Sequence, residues 1–342
     1  MSRQPKILMA ILMLALTMPL HAAELKPVTT IHSKQQTWTT PSKNYVILQR
    51  DNVEIVVVNN QAVDDDVLPG HRAGYSGIAK ITHKHQAESL FVPSYAGLNY
   101  EHIHDGKTRD RKILFEPRNL PMQLRQINEY TVELYQAPAG HYRLESCQRY
   151  ELLENGTIQL TYECTPRANS FANQYIGLFW ASYIHQPKDS SIHFPGFENV
   201  EGKTIDQYPK PQMVRGVTPK HGIHATHRSS KDQRLFQHDS EFPLSLVFGY
   251  SRHRFQQPWY YGVCRSMGFA QIFRDADQMR ISQSPSGGGQ GNPAWDFQYF
   301  VPDYEVGKTY RFVMRAVYHP IDKPAEFLDR VAEEYVKLNA TQ

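Results

Sequence analysis

One thirteen-residue run constrains the fold more than any other: Tyr175-Ile176-Gly177-Leu178-Phe179-Trp180-Ala181-Ser182-Tyr183-Ile184-His185-Gln186-Pro187, which contains no Lys, Arg, Asp or Glu. As a strand, its side chains alternate between two faces. Tyr175, Gly177, Phe179, Ala181, Tyr183 and His185 share one, and Ile176, Leu178, Trp180, Ser182, Ile184 and Gln186 share the other. Both faces begin apolar, as in a central strand covered on both sides. Pro187 ends the run because it has no N–H for a ladder. The change to Tyr183 and His185 reads as the floor of a cleft; the plainer alternative is a core strand with one hydrogen-bonded histidine.

The first 23 residues stand apart from the fold. Arg3 and Lys6 precede an apolar run from Ile7 to Leu20, and Leu20-His21-Ala22-Ala23 supplies small residues for cleavage. This pattern predicts a secretory signal peptide over 1–23 and a periplasmic or secreted mature chain without a membrane span. Without Arg3 and Lys6 the formal charge falls from +3 to +1. Such a near-neutral chain gives no support for a nucleic-acid partner. Its 20 Tyr, 16 Phe and 22 Pro, in short runs between turns, suit an all-β sandwich or barrel. With no internal repeat or change of composition, residues 24–342 are read as a single β-sandwich domain.

The cysteines allow a geometric expectation. Asn155-Gly156 between strand-like arms is a strong hairpin signal. A two-residue turn there sets Cys147 directly opposite Cys164 at a non-hydrogen-bonded pair, so a cross-strand disulfide is predicted, with two buried thiols as the alternative. Cys264 is left as a small buried hydrophobe.

Strands are expected over Tyr45–Gln49 and Val53–Asn59, then Ile78–Thr82, Leu90–Pro93, Lys112–Phe115, Met122–Asn128 and Thr131–Gln136. Residues 187–238 show little periodicity and read as a long connection. Strands resume at Leu244–Tyr250, Tyr260–Ser266, Phe269–Arg274, Met279–Gln283, Trp295–Val301 and Thr309–Tyr318. Phe327, Val331, Tyr335 and Leu338 recur at helical spacing, predicting an amphipathic helix over 324–339 packed on the sheet.

Chemistry-bearing residues concentrate in Tyr95-Ala96-Gly97-Leu98-Asn99-Tyr100-Glu101-His102-Ile103-His104-Asp105-Gly106, followed by Arg109, Asp110, Arg111, Glu116 and Arg118. His102 and His104 share a strand face, where they could transfer protons, hold a metal whose third ligand comes from elsewhere, or serve as structural histidines paired with Asp105 or Asp110. His-x-His alone is a weak metal signal, so no cofactor is expected and a divalent metal stays open. Arg252 and Arg254, near Trp259, Tyr260 and Tyr261, could neutralise a carboxylate or sulfate on an acidic sugar, or form a solvated turn. The glycine-rich stretch before Asn292, Trp295 and Asp296 lacks the Gly-Lys-Ser/Thr ending of a phosphate loop. Its exit suits a sugar site, with Trp295 as a stacking platform, or simply a hairpin closing on a core Trp. No Gly-x-Ser-x-Gly elbow occurs.

The segment Gly97-Leu98-Asn99-Tyr100-Glu101-His102 and the strand Phe179-Trp180-Ala181-Ser182-Tyr183-Ile184-His185 resemble the galactose-mutarotase-like β-sandwich, over most of residues 40 to 320. The likeness implies a large two-sheet antiparallel sandwich with a concave sugar-binding sheet, where epimerases of that type use two histidines and a glutamate. The expectation is a carbohydrate partner in a cleft lined by His, Tyr, Arg and Trp. His102, His104 and His185 would move protons. Asn99, Glu101, Arg118, Tyr183, Arg252, Asn292, Trp295 and Asp296 would bind substrate. A binding protein without turnover and a structural surface protein are the rival readings.

Overall fold

A computed structural model describes residues 28–33, 36–219, 222–285 and 291–340; the expected signal segment lies outside them. The chain is mainly strand. Tyr45–Arg50, Val53–Val58 and Gly77–His83 form a three-stranded antiparallel sheet. A fifteen-stranded sheet holds the rest of the named strands among the described residues. One half runs from Asn99–His104 through Tyr175–Ala181, Ala294–Pro302 and Arg280–Ser284 to Thr226–Ser229. It continues through Tyr250–Phe255 and Ile192–Phe197 into a second half, Trp259–Cys264, Met267–Phe273, Tyr310–Pro320, Ile158–Pro166, Leu144–Leu152, Thr131–Gln136 and Gln123–Asn128.

The halves fold onto one another, and Trp180 shows how. Its ring stacks on Tyr100 and Phe297, its neighbours in the first half, with centroids at 4.8 and 5.2 Å. From the second half, Tyr162 and Phe312 meet it edge-on at 4.8 and 4.9 Å. The indole N–H donates to Gln148 Oε1 at 3.0 Å, so the polar atom is satisfied inside the core. Burying a ring of this kind removes on the order of 150–250 Å² from water, about 4–6 kcal/mol of transfer free energy at 25 cal/mol/Å². The run 175–187 is therefore a central strand, paired on one side with Asn99–His104 and on the other with Ala294–Pro302.

Its other face is roofed. Phe236, Phe242, Leu244, Leu246 and Val247 pack with Leu114 onto Tyr175, Phe179, Ala181, Tyr183 and Phe300. His104 fills the notch over Gly177, where a Cβ would lie 2.1 Å from the imidazole ring. The open floor expected from the sequence is thus closed along most of the strand.

The expected helix forms as Pro324–Ala340, with Phe327, Val331 and Leu338 buried against Ala270, Ile272 and Val317. Gly268 admits the Phe327 ring, which a Cβ there would meet at 2.6 Å. Glu334, on the same helix, is buried by its ion pair with Arg315 at 2.9 Å.

Four expected elements differ. Leu90–Pro93 forms no strand: only Phe91 bridges, to Ile184, before the chain turns at Pro93. Lys112–Phe115 is a helical turn, Arg111–Leu114, because the Asp110 side chain accepts from the Lys112 N–H and Pro117 then starts a second turn, Glu116–Asn119. Within Leu244–Tyr250, Ser245–Phe248 is helical and the strand starts at Tyr250. The long connection carries strands Ile192–Phe197, Gln212–Gly216 and Thr226–Ser229, each too short for its periodicity to stand out.

The disulfide is also corrected. Glu154–Gly156 is a single 3₁₀ turn with Asn155 at φ +62°, so the connection is longer than two residues and the register slips by one. Cys164 pairs with Ser146 and Cys147 with Glu163, which puts the two thiols on opposite faces of the sheet. All three cysteines are free and buried. Alkylation of the unfolded protein without reductant should label Cys147, Cys164 and Cys264 alike; a mass showing only one labelled site would restore the disulfide.

Candidate functional site

The site is built by a β-bulge. Asn99 pairs with Ala181 and Tyr100 with Trp180, but the register shifts before His102 pairs with Phe179. The extra residue is Glu101, and the bulge aims its carboxylate across the roofed face, as bulges often re-aim a side chain. The Tyr183 hydroxyl donates to Glu101 Oε1 at 2.5 Å, and Arg118 Nη1 donates to the same oxygen at 3.0 Å. His102 Nε2 lies 3.5 Å from the other carboxylate oxygen. Arg118 comes from the turn Glu116–Asn119 and sits over the Tyr75 ring at 4.1 Å. Tyr75 and Tyr95 pack edge-on at 4.3 Å and both contact Tyr183, forming an aromatic wall.

One row across this face is polar. Register places Asn99, Ala181, Asp296 and Ser282 side by side. Asn99 is fully buried, and neither its amide nitrogen nor its amide oxygen has a protein partner. Gln298 donates to Thr226 and Ser282, yet its own oxygen is unpartnered, as is His102 Nδ1. Buried amide groups without partners are rare, and they cluster here beside the small Ala181.

Electrostatics separate the groups. Burial raises the Glu101 carboxyl above its ordinary value, opposed by Arg118 and by the Tyr183 hydrogen bond. Burial, and then the neighbouring Glu101 charge, push Tyr183 well upward, so the phenol keeps its proton. Asp296 is also raised well above its usual range, by burial and by Glu101. His102 and His104 are pushed down to about 3, mainly by burial, with Arg118 acting next on His102 and His102 on His104. Both imidazoles are neutral near pH 7. The Glu101 side chain keeps 10% exposure, and Arg118 connects it to a pocket of about 510 Å³ that Phe115, Arg111 and Lys112 also line.

Of the residues singled out in the sequence, Asn99, Glu101, His102, Arg118, Tyr183 and Asp296 come together here. The others do not. Both ring nitrogens of His104 are unpartnered, and it is enclosed by Phe242, Phe248 and Phe300 at 5.5 to 6.0 Å. His185 is tied through its backbone to Leu90 and Cys264, beyond the end of the strand. Trp295 is fully buried between the layers, packed on Gly262, with its N–H donating to Ser190 O, so it offers no face for stacking. Asn292 holds the Gln186 N–H at 2.9 Å. Arg252 lines a different pocket. Tyr95 and Arg111 belong to the polar stretch but carry no assigned role in the sequence reading, and Tyr75 and Lys112 are not singled out there; all four reach the site from loops and helical turns without a periodic signal. Among the described residues, no three His, Cys, Asp or Glu side chains gather as a metal would need, and no helix is long and apolar enough to cross a membrane.

No protein-family profile matches the chain, and no curated protein matches it. Solved structures do overlay on it. A galactose mutarotase-like protein from Lactobacillus casei covers 80% of this chain and all of its own, with a TM-score of 0.44 at 6% identity. Galactose mutarotase-like proteins recur among these overlays. A putative aldose 1-epimerase from Escherichia coli gives 0.44 at 9% identity, over 81% of this chain and 99% of its own. A TPR-domain containing protein from Parabacteroides distasonis gives 0.43 at 9%, and there the match spans 47% of the other chain and 80% of this one.

Proposed function

We propose that this protein binds an acidic oligo- or polysaccharide at the Glu101 site and removes the proton next to the sugar carboxylate. That step is shared by uronate elimination and uronate epimerisation. The supporting observation is the 2.5 Å bond between the Tyr183 phenol and Glu101, set beside Arg118 at the end of a basic pocket. Arg111 and Lys112, both exposed, would hold the sugar carboxylate and spread the charge that develops on it. Glu101 would accept the C5 proton. In elimination, the C4–O bond then breaks, a C4–C5 double bond forms, and Tyr183 gives its proton to the departing oxygen. In epimerisation, water gives a proton to C5 from the opposite face, and Glu101 releases the proton it took to solvent. The apolar run after Arg3 and Lys6 supports a secreted or periplasmic location for this activity.

Tyr183→Phe removes the proposed acid while keeping the ring and its packing. Its kcat for elimination on a uronate polysaccharide should fall at least 100-fold while KM changes less than threefold, followed by the ultraviolet absorbance of unsaturated ends. A Tyr183→Phe enzyme with an unchanged rate would exclude that role. Tight binding without product from any uronate would make the chain a glycan-binding protein.

A further inference from the structure

A second basic pocket lies far along the sheet, where Thr226–Ser229 pairs with Tyr250–Phe255. It encloses about 540 Å³ and is lined by Lys203, Arg228, Arg252 and Arg254, with Tyr208 and Tyr250 as aromatic walls. Glu201 is the one acidic residue on its lining. Among the described residues, none of the four cations has a carboxylate partner. Arg254 Nη1 donates only to the carbonyls of Ser229 and Asp232, at 3.0 and 2.8 Å. The nearby Asp232 carboxylate is already committed to Arg234 and Arg280, each at 2.9 Å.

The pocket is also preorganised. The Arg228 guanidinium lies 4.0 Å over the Tyr250 ring, and the Tyr250 hydroxyl is fixed by Arg280 at 3.1 Å. The loop carrying Lys203 is closed by the 3₁₀ turn Ile205–Gln207, whose capping box joins Thr204 and Gln207. It is further pinned by the Val200 N–H donating to the Arg252 carbonyl at 2.9 Å. Burial, and then the neighbouring Arg254, push the partly buried Arg228 below its ordinary value. Like charges held together by the fold in excess of their counter-charge are stabilised when an anion arrives, and planar guanidinium groups suit tetrahedral oxyanions.

We infer that this pocket is a binding site for a small oligoanion, a ring carrying sulfate or phosphate esters, separate from the Glu101 site. Its volume fits one or two sugar rings. Four cations against one carboxylate call for a ligand with more than one negative charge. The aromatic walls favour a ring over an inorganic ion.

Calorimetric titration at fixed ionic strength tests this with three probes: a trisulfated disaccharide, the same disaccharide without sulfates, and a hexose bisphosphate. One-to-one binding of the sulfated or the bisphosphorylated probe is expected, and which of them binds more tightly identifies the ester. Arg228→Gln and Arg252→Gln should each weaken it at least tenfold. The double variant Arg111→Gln/Lys112→Gln, in the other pocket, should leave it within twofold. Equal affinity for the unsulfated disaccharide, no binding of either charged probe, or unchanged affinity in Arg228→Gln and Arg252→Gln would overturn the assignment. Glu101→Gln should bind these probes like the wild type, so loss of turnover at Glu101 does not bear on this pocket.

Discussion

Arg280→Ala is expected to destabilise the protein by about 3–5 kcal/mol, the range for breaking one side of a buried ion pair. Arg280 is fully buried. Its Nε donates to Asp232 at 2.9 Å, Nη1 to the Tyr250 hydroxyl at 3.1 Å and Nη2 to the Arg234 carbonyl at 3.0 Å. The guanidinium also lies 4.7 Å from the Phe300 ring and 5.0 Å from that of Phe236. It therefore ties the roof segment around 232–236 to the sheet. Truncation leaves three acceptors short of a donor and a void under two aromatic rings. Chemical denaturation should show the loss, and Arg280→Met should recover the packing share but not the polar share. A midpoint unchanged in Arg280→Ala would mean that the roof is held by its apolar contacts alone.

The same network sets an acid limit. Burial opposes ionisation of Asp232, yet hydrogen bonds from Arg234 and the charge of Arg280 hold it down at about 2. A carboxylate with a depressed folded-state value contributes its stability above its unfolded value, near 3.9, and loses it as pH falls toward 2. About 2 kcal/mol should disappear across that window. In Asp232→Asn the pH dependence between 4 and 2 should flatten, measured by denaturation at a series of pH values.

Glu101→Gln carries the second large effect. The side chain keeps its size and an acceptor for Tyr183, but it can no longer take a proton. Turnover of an acidic polysaccharide should fall about 10²–10⁴-fold, the usual worth of a positioned base. The wild-type rate should rise with pH through the Glu101 ionisation, because the base must be deprotonated. Since burial raises that ionisation, the acid limb should sit above the ordinary carboxylate range. Glu101→Gln should lack the limb. An identical pH profile in both forms would assign the proton to another group.

Much of this was legible in residue order. Alternation in Tyr175–Ala181 and helical spacing in Phe327, Val331 and Leu338 identified the central strand and the closing helix, because buried faces impose those periods. Asn99, Glu101, His102, Arg118, Tyr183 and Asp296 were picked out by type and proximity, and they converge. Trp295 failed as a platform because alternation cannot say which face of a doubly covered strand meets a ligand. His104 and His185 failed because a roof segment and the end of the strand decide their surroundings, and both are tertiary features. The cysteine register failed on a single residue: Asn155-Gly156 sits within a longer connection, and one added residue moves Cys147 to the other face.

The most direct measurement is incubation of the protein with uronate polysaccharides in D₂O, with products read by mass spectrometry and NMR at C5. Deuterium at C5 or unsaturated chain ends with the wild type, and neither with Glu101→Gln, is the expected result. No exchange and no unsaturation with any uronate substrate, or equal exchange by both proteins, would contradict proton removal at Glu101.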